Sequence, residues 1–207
     1  MINKFIILFI LIFHSVYASS GGYVGSSYKY GSNARQIALS NSTLAFYNKG
    51  YNPLTNPALL GSIKQMEYGF SYFDMSLDRY IQTFSITIPA PPTASIGLSA
   101  YILGTDNIAG ISSDNVSTGM YSAWEGYGML SFGVNMGSFS PGVNIKLFQS
   151  KIASYTADGV GLDVAFLYKI SSNIQLALML ENIYAKYSWD INTGESSISY
   201  DEKFPQI

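Results

Sequence analysis

From residue 65 onward, apolar and polar positions alternate with a period of two in seven successive segments. In "QMEYGFSYF" (65–73), Met66, Tyr68, Phe70 and Tyr72 share one phase, with Glu67, Gly69 and Ser71 in the other. "YIQTFSITI" (80–88) sets Phe84, Ile86 and Ile88 against Thr83, Ser85 and Thr87, and "TASIGLSAYIL" (93–103) sets Ile96, Leu98 and Ile102 against Ser95, Gly97 and Ser99. The same division runs through "WEGYGMLSFGV" (124–134), "GVNIKLFQ" (142–149), "GVGLDVAFLY" (159–168) and "NIQLALMLENI" (173–183). Alternation of this kind predicts β-strands with one apolar face, because successive side chains leave a strand on opposite sides.

The strand charges are Glu67, Glu125, Lys146, Asp163 and Glu181, and all five fall in the phase of the small polar residues. That phase is partly set by the apolar residues themselves. A charge on a lipid-facing surface costs about 2 to 4 kcal/mol at mid-depth, and none is misplaced. The segments also have the length of a tilted membrane strand.

A soluble β-sandwich with one wet face alternates in the same way, so the connections have to separate the two readings. "PAPP", 135–141 and "KISS" are short; 74–79, 104–123, 150–158 and 184–203 are longer on average and polar. Short turns at one end and long loops at the other are the mark of an outer-membrane barrel. With "KFPQI" read as the opening of an eighth strand, the expectation is a transmembrane antiparallel β-barrel truncated after about seven strands.

Residues 19–64 do not alternate. They hold a Gly/Ser/Tyr-rich leader followed by "GSNARQIALSNSTLAFYNKGYNPLTNPALLGS". The residue before a proline is pushed toward extended backbone, so Asn52 and Asn56 are expected as corners. Asn56 is also suited to cap a helical turn that begins at Pro57 and ends at Gly61. Such a segment does not fit a barrel wall; it is either a luminal plug or an ordered leader before the first strand.

The first eighteen residues, "MINKFIILFILIFHSVYA", carry Lys4, an apolar run from Phe5 to Phe13, and small residues before a cleavage point after Ala18. This is the pattern of a secretory signal peptide, and the apolar run is short for a spanning helix. The organisation read from the sequence is therefore a signal peptide at 1–18, a leader and plug at 19–64, and the N-terminal half of a barrel at 65–207.

Composition narrows the chemistry. Charged residues make up 12 %, about half the ordinary share, while aromatics reach 15 % with 17 tyrosines. The net charge of −2 gives no electrostatic reason to bind nucleic acid. His14 is the single histidine and lies within the signal peptide, and there is no cysteine. The mature chain thus has no His-based triad, no thiol nucleophile and no usual transition-metal site. "SSYK" (26–29) has a Ser-x-x-Lys spacing without a supporting motif, and the loop Asp and Asn residues follow no known calcium-loop spacing. No enzyme activity, cofactor or metal is expected.

The stretch "GSNARQIALSNSTLA…NPALL" resembles the N-terminal pattern of the PorV/PorQ family, related to FadL-like outer-membrane transporters. Gly31, Ala34, Arg35, Ala38, Ala45, Asn56, Pro57 and Ala58 carry the likeness, and "GVNIKLF", "GVGLDVAFLY" and "ALMLENI" extend it to about residue 183. "FYNKGYNPLT" stands where an acidic pair is common, and Leu59 replaces a glycine. The resemblance implies a barrel of about fourteen strands in the outer membrane with the N-terminal segment folded into its lumen. On that reading Gly31, Ala34, Arg35, Asn56, Pro57 and Ala58 belong to the plug, and Glu67, Glu125, Lys146, Asp163 and Glu181 face the lumen. The implied partners are outer-membrane lipid and either a hydrophobic small molecule or secretion-pathway proteins of the type IX system. A structural or surface-display barrel is the third possibility, and a secreted soluble β-sandwich the fourth.

Overall fold

The computed structural model describes residues 24–192 and 197–204. The signal peptide read at 1–18 lies outside them. Eight antiparallel strands form one sheet in the order of the chain: β1 (Glu67–Met75), β2 (Arg79–Ala90), β3 (Ala94–Ile111), β4 (Ser117–Val134), β5 (Phe139–Ile152), β6 (Tyr155–Lys169), β7 (Gln175–Asn192) and β8 (Ser197–Lys203). The protein is therefore all-β, with each strand hydrogen-bonded to its sequence neighbour. Among the described residues no helix is long and apolar enough to cross a membrane.

Every alternating segment is a strand, but the strands run further than the alternation. Residues 104–123, expected as a long loop, are the distal halves of β3 and β4 joined by a turn at 112–116. Residues 184–192 are likewise the end of β7 and 197–203 are β8, so the eighth strand ends at the lysine that opens "KFPQI", and Phe204 bonds back to the Ala185 carbonyl. The physical reason is visible in burial. Past Thr105 on β3, and before Ala123 on β4, both faces are almost wholly exposed, so no apolar phase is required although the backbone ladder continues. An 18-residue strand is about 60 Å long, well over the length of its alternating part.

The sheet is strongly curled. Tyr28, which precedes the strands, lies with its ring 5.7 Å from that of Tyr101 on β3 and 6.3 Å from that of Phe204, just past β8. In a flat sheet β3 and β8 would stand about 24 Å apart. Rings from both can meet one tyrosine only if the sheet bends around it. Two register shifts between β6 and β7 flank Leu162, and Asn182 and Tyr184 on β7 have positive φ. Such bulges increase local twist and curvature.

The concave face is covered by residues 24–63. This segment holds a 3-10 turn at Ser26–Tyr30, a short helix at Ala34–Ala38, one helical turn at Asn52–Thr55 and a second 3-10 turn at Pro57–Ser62. Asn33 caps the helix by accepting from the Gln36 amide at 3.0 Å. Asn56 is extended (φ −165°) and accepts from the Ala58 amide at 2.8 Å, as its sequence context predicts, although the turn continues past Gly61 to Ser62. Asn52 differs from expectation: it is inside a helical turn instead of an extended corner. Its side-chain bonds to the Asn48 amide (2.8 Å) and to Glu67 (3.3 Å) oppose the bias that Pro53 imposes.

Candidate functional site

The two faces of the sheet invert the usual rule of burial. On the convex face large apolar side chains are bare: Tyr68 is 79 % exposed, Leu147 60 % and Leu178 58 %. On the concave face Ser85, Ser95, Ser131 and Asp163 are each fully buried. Contiguous apolar surface on this scale marks contact with another apolar phase.

The concave face is shaped to receive the 24–63 segment. A Cβ on Gly133 would collide with the carbonyl oxygen of Pro57, and one on Gly142 with the backbone of Pro57 and Ala58. Glycine at these positions lets the turn at Pro57–Ser62 lie directly on the strands. Ala58 and Leu59 pack there against Ala165 and Leu167 of β6. Hydrogen bonds pin the rest. Thr83 donates to the Ser32 carbonyl at 2.7 Å, Tyr101 to that of Ser27 at 3.1 Å, and Gln175 to that of Ala45. Contacts thus reach strands from β2 to β7.

At the β1 edge the carboxylate of Glu67 gathers three donors from the segment: the Tyr47 hydroxyl, the Gly50 amide at 3.0 Å and the Asn52 amide group at 3.3 Å. Partial burial, then Glu67 itself, pushes the Tyr47 hydroxyl up to about 12, so Tyr47 stays a neutral donor. Because this pKa is raised on folding, its contribution is complete below about pH 10 and is lost as pH rises through 12.

Lys146 and Asp163 form a second polar centre. Lys146 Nζ is 2.9 Å from Asp163 Oδ2, which also accepts from Asn144 Nδ2 at 2.9 Å. Asp163 Oδ1 accepts the Asn182 amide at 2.9 Å, so the pair holds the bulge in β7. The remaining face of the ammonium lies 5.2 Å from the centre of the Tyr127 ring. Asp163 is fully buried and Lys146 nearly so; their partner set is complete, which is the condition for tolerating a buried ion pair.

The sequence-derived site residues are therefore dispersed along one interface. Asn56, Pro57 and Ala58 are buried at the turn on the sheet, whereas Ala34 and Arg35 are exposed, Arg35 donating to the Tyr47 carbonyl at 3.2 Å. Gly31 has φ +93° and sits against Asn41. Glu67 contacts the segment directly; Lys146 and Asp163 bond to the sheet and line a cavity beside it. Glu181 lines the same cavity and is exposed, and Glu125 lines a separate one with Trp189 and Glu202. Among the described residues no group of three or more His, Cys, Asp or Glu side chains could hold a metal ion.

An aromatic cluster was missed from the sequence. Tyr28 packs among Tyr101, Tyr127, Phe148 and Phe204, and its hydroxyl pairs with that of Tyr187. Burial, reinforced by Tyr187, raises the Tyr28 hydroxyl far above its ordinary value. The signal was present: Tyr101, Tyr127 and Phe148 stand in the Gly/Ser phase of their strands, where a large ring needs a partner. No family model matches the chain, and no curated protein or solved structure matches it.

Proposed function

We propose that the chain forms part of the wall, and the internal plug, of an outer-membrane β-barrel of the PorV/PorQ, FadL-like type. In this reading it handles hydrophobic molecules or exported proteins at that membrane. The observation that carries it is the inverted burial of the sheet, with Leu178 at 58 % exposure and Asp163 at none. In water that arrangement exposes a large apolar surface while burying serines and an ion pair. Against lipid hydrocarbon the same arrangement is favourable, since apolar side chains meet an apolar phase and charges stay inside.

The curl and the filled concave face support the same reading. A sheet bent around residues 24–63 has the form of a barrel wall with its plug seated, and the polar distal hairpins then extend beyond the apolar band. The soluble sandwich reading fails to supply a second sheet for the apolar face.

The reading is tested by fractionating cells that express the full chain and by comparing its electrophoretic mobility with and without boiling. Recovery with the outer membrane and a heat-dependent shift are expected. A chain found soluble in the periplasm would refute the proposal. Retention of a lipid-like molecule after purification favours the hydrophobic-ligand role, whereas co-purification of an exported protein favours the secretion role.

A further inference from the structure

Beside the ion pair, between the 24–63 segment and strands β4 to β7, lies a cavity of about 430 Å³. Its size falls within the range of small-molecule sites. Leu44, Leu54, Met129, Met179 and Phe204 give it apolar walls, and its polar end is built by Asn144, Lys146, Asp163 and Asn182.

The hydrogen-bonding capacity of that end is almost fully used. Both oxygens of Asp163 are occupied, and Lys146 donates to Asp163 and to Asn182 Oδ1 at 3.2 Å. One atom is left over. Asn144 is 1 % exposed, its amide nitrogen is committed to Asp163, and its Oδ1 has no partner. A buried acceptor left unpaired costs on the order of 1 to 3 kcal/mol, so a group that fills it gains most of that cost back.

We infer that this cavity binds an aliphatic molecule with an uncharged hydroxyl head, in preference to a fatty carboxylate. The alcohol proton is donated to Asn144 Oδ1, the unpaired acceptor of the lining. A carboxylate has no proton to give Asn144 and would stand close to the carboxylates of Asp163 and Glu181, which share the cavity. Of the two lysines in the lining, Lys146 is already bound by Asp163 and Lys29 is engaged as well. This inference rests on the membrane-barrel reading above and names the ligand class for it.

The test is native mass spectrometry of the full chain released from lauryldimethylamine oxide micelles, a detergent without a hydroxyl, with equal concentrations of 1-dodecanol and dodecanoate. Dodecanol is expected at about tenfold higher occupancy, the effect of satisfying one buried acceptor. Asn144→Leu should abolish this preference and Asn144→Gln, which keeps the amide, should retain part of it. The comparison of head groups on the unaltered chain needs no variant to fold. Equal or greater occupancy by dodecanoate would overturn the inference, as would an unchanged preference in Asn144→Leu. Binding of neither probe to a membrane-inserted chain would also overturn it, leaving the cavity to water. Failure of the barrel reading shows separately, as loss of outer-membrane recovery and of the heat-dependent shift.

Discussion

Lys146 Nζ meets Asp163 Oδ2 at 2.9 Å, reaching diagonally from β5 to β6 where Asn144 is the residue directly opposite Asp163. Removing either partner leaves the other charged and buried, which typically costs about 3 to 5 kcal/mol. Lys146→Met is therefore expected to lower the urea midpoint of the folded chain markedly. The double variant Lys146→Met with Asp163→Leu should recover much of the loss, because no buried charge is left. Unfolding curves in micelles for the two single variants and the pair measure the coupling directly; simple additivity would mean the pair is not what holds β7.

Seating of the 24–63 segment depends on two glycines more than on any side chain. Gly133→Val should displace the turn at Pro57–Ser62, since the added carbons would occupy the position of the Pro57 carbonyl. Gly128→Ala is the control, because a Cβ there meets nothing within 4 Å. Limited proteolysis should cut Gly133→Val between residues 31 and 62 and leave Gly128→Ala as resistant as the parent. Equal protection in both would mean the segment is held elsewhere.

The strand faces were legible because a period of two has only two phases; the phase holding Gly, Ser, Glu67, Lys146 and Asp163 is the covered one, while Glu125 in that phase is half-buried and Glu181 exposed. Glu67 and Asp163 both point there, to the segment and to Lys146 respectively. What the pattern could not show was pairing without burial. Residues 106–109 and 117–122 are exposed on both faces, so nothing but backbone hydrogen bonds marks them as strand. The bulge at Asn182 escaped because it depends on a side chain two strands away: Lys146. The unpaired oxygen of Asn144 becomes apparent only once its neighbours are placed.

Leu178 and Glu181 are three residues apart on β7 and face opposite ways until the bulge. Leu178→Arg puts a charge on the apolar convex face, at a cost of about 2 to 4 kcal/mol if it lies at mid-membrane. Glu181→Leu removes an exposed charge that is not part of the Lys146–Asp163 pair. Assembly, read from the heat-dependent mobility shift, should fall sharply in the first variant and little in the second. The reverse order would invert the assignment of faces.

Topology provides an independent check. The turn at 112–116 and the end of β7 at Asn192 lie at one end of the sheet, and Pro91 at the other. Ser113→Cys and Asn192→Cys should react with an impermeant thiol reagent on whole cells, whereas Pro91→Cys should react only after the outer membrane is permeabilised. The chain has no native cysteine to confuse the readout. Labelling of all three on intact cells would contradict the proposed orientation.

The segment that fills the concave face also decides whether ions can pass. Leu59 and Leu60 are buried against the strands, Leu44 and Leu54 are partly buried, and Leu39 and Phe46 are left exposed. Its polar groups are tied to the wall from Glu67 to Gln175. A path lined by leucine and closed by hydrogen bonds gives ions no substitute for their hydration, so steady conductance in planar bilayers is expected to be low. Deleting residues 31–58 removes Leu39, Leu44 and Leu54 together with the donors to Glu67, and uncovers a face of Ser, Thr and Gly that water can wet. Conductance should then rise well above that of the intact chain. A large steady conductance from the intact chain would instead indicate a general pore, with residues 24–63 no barrier to it.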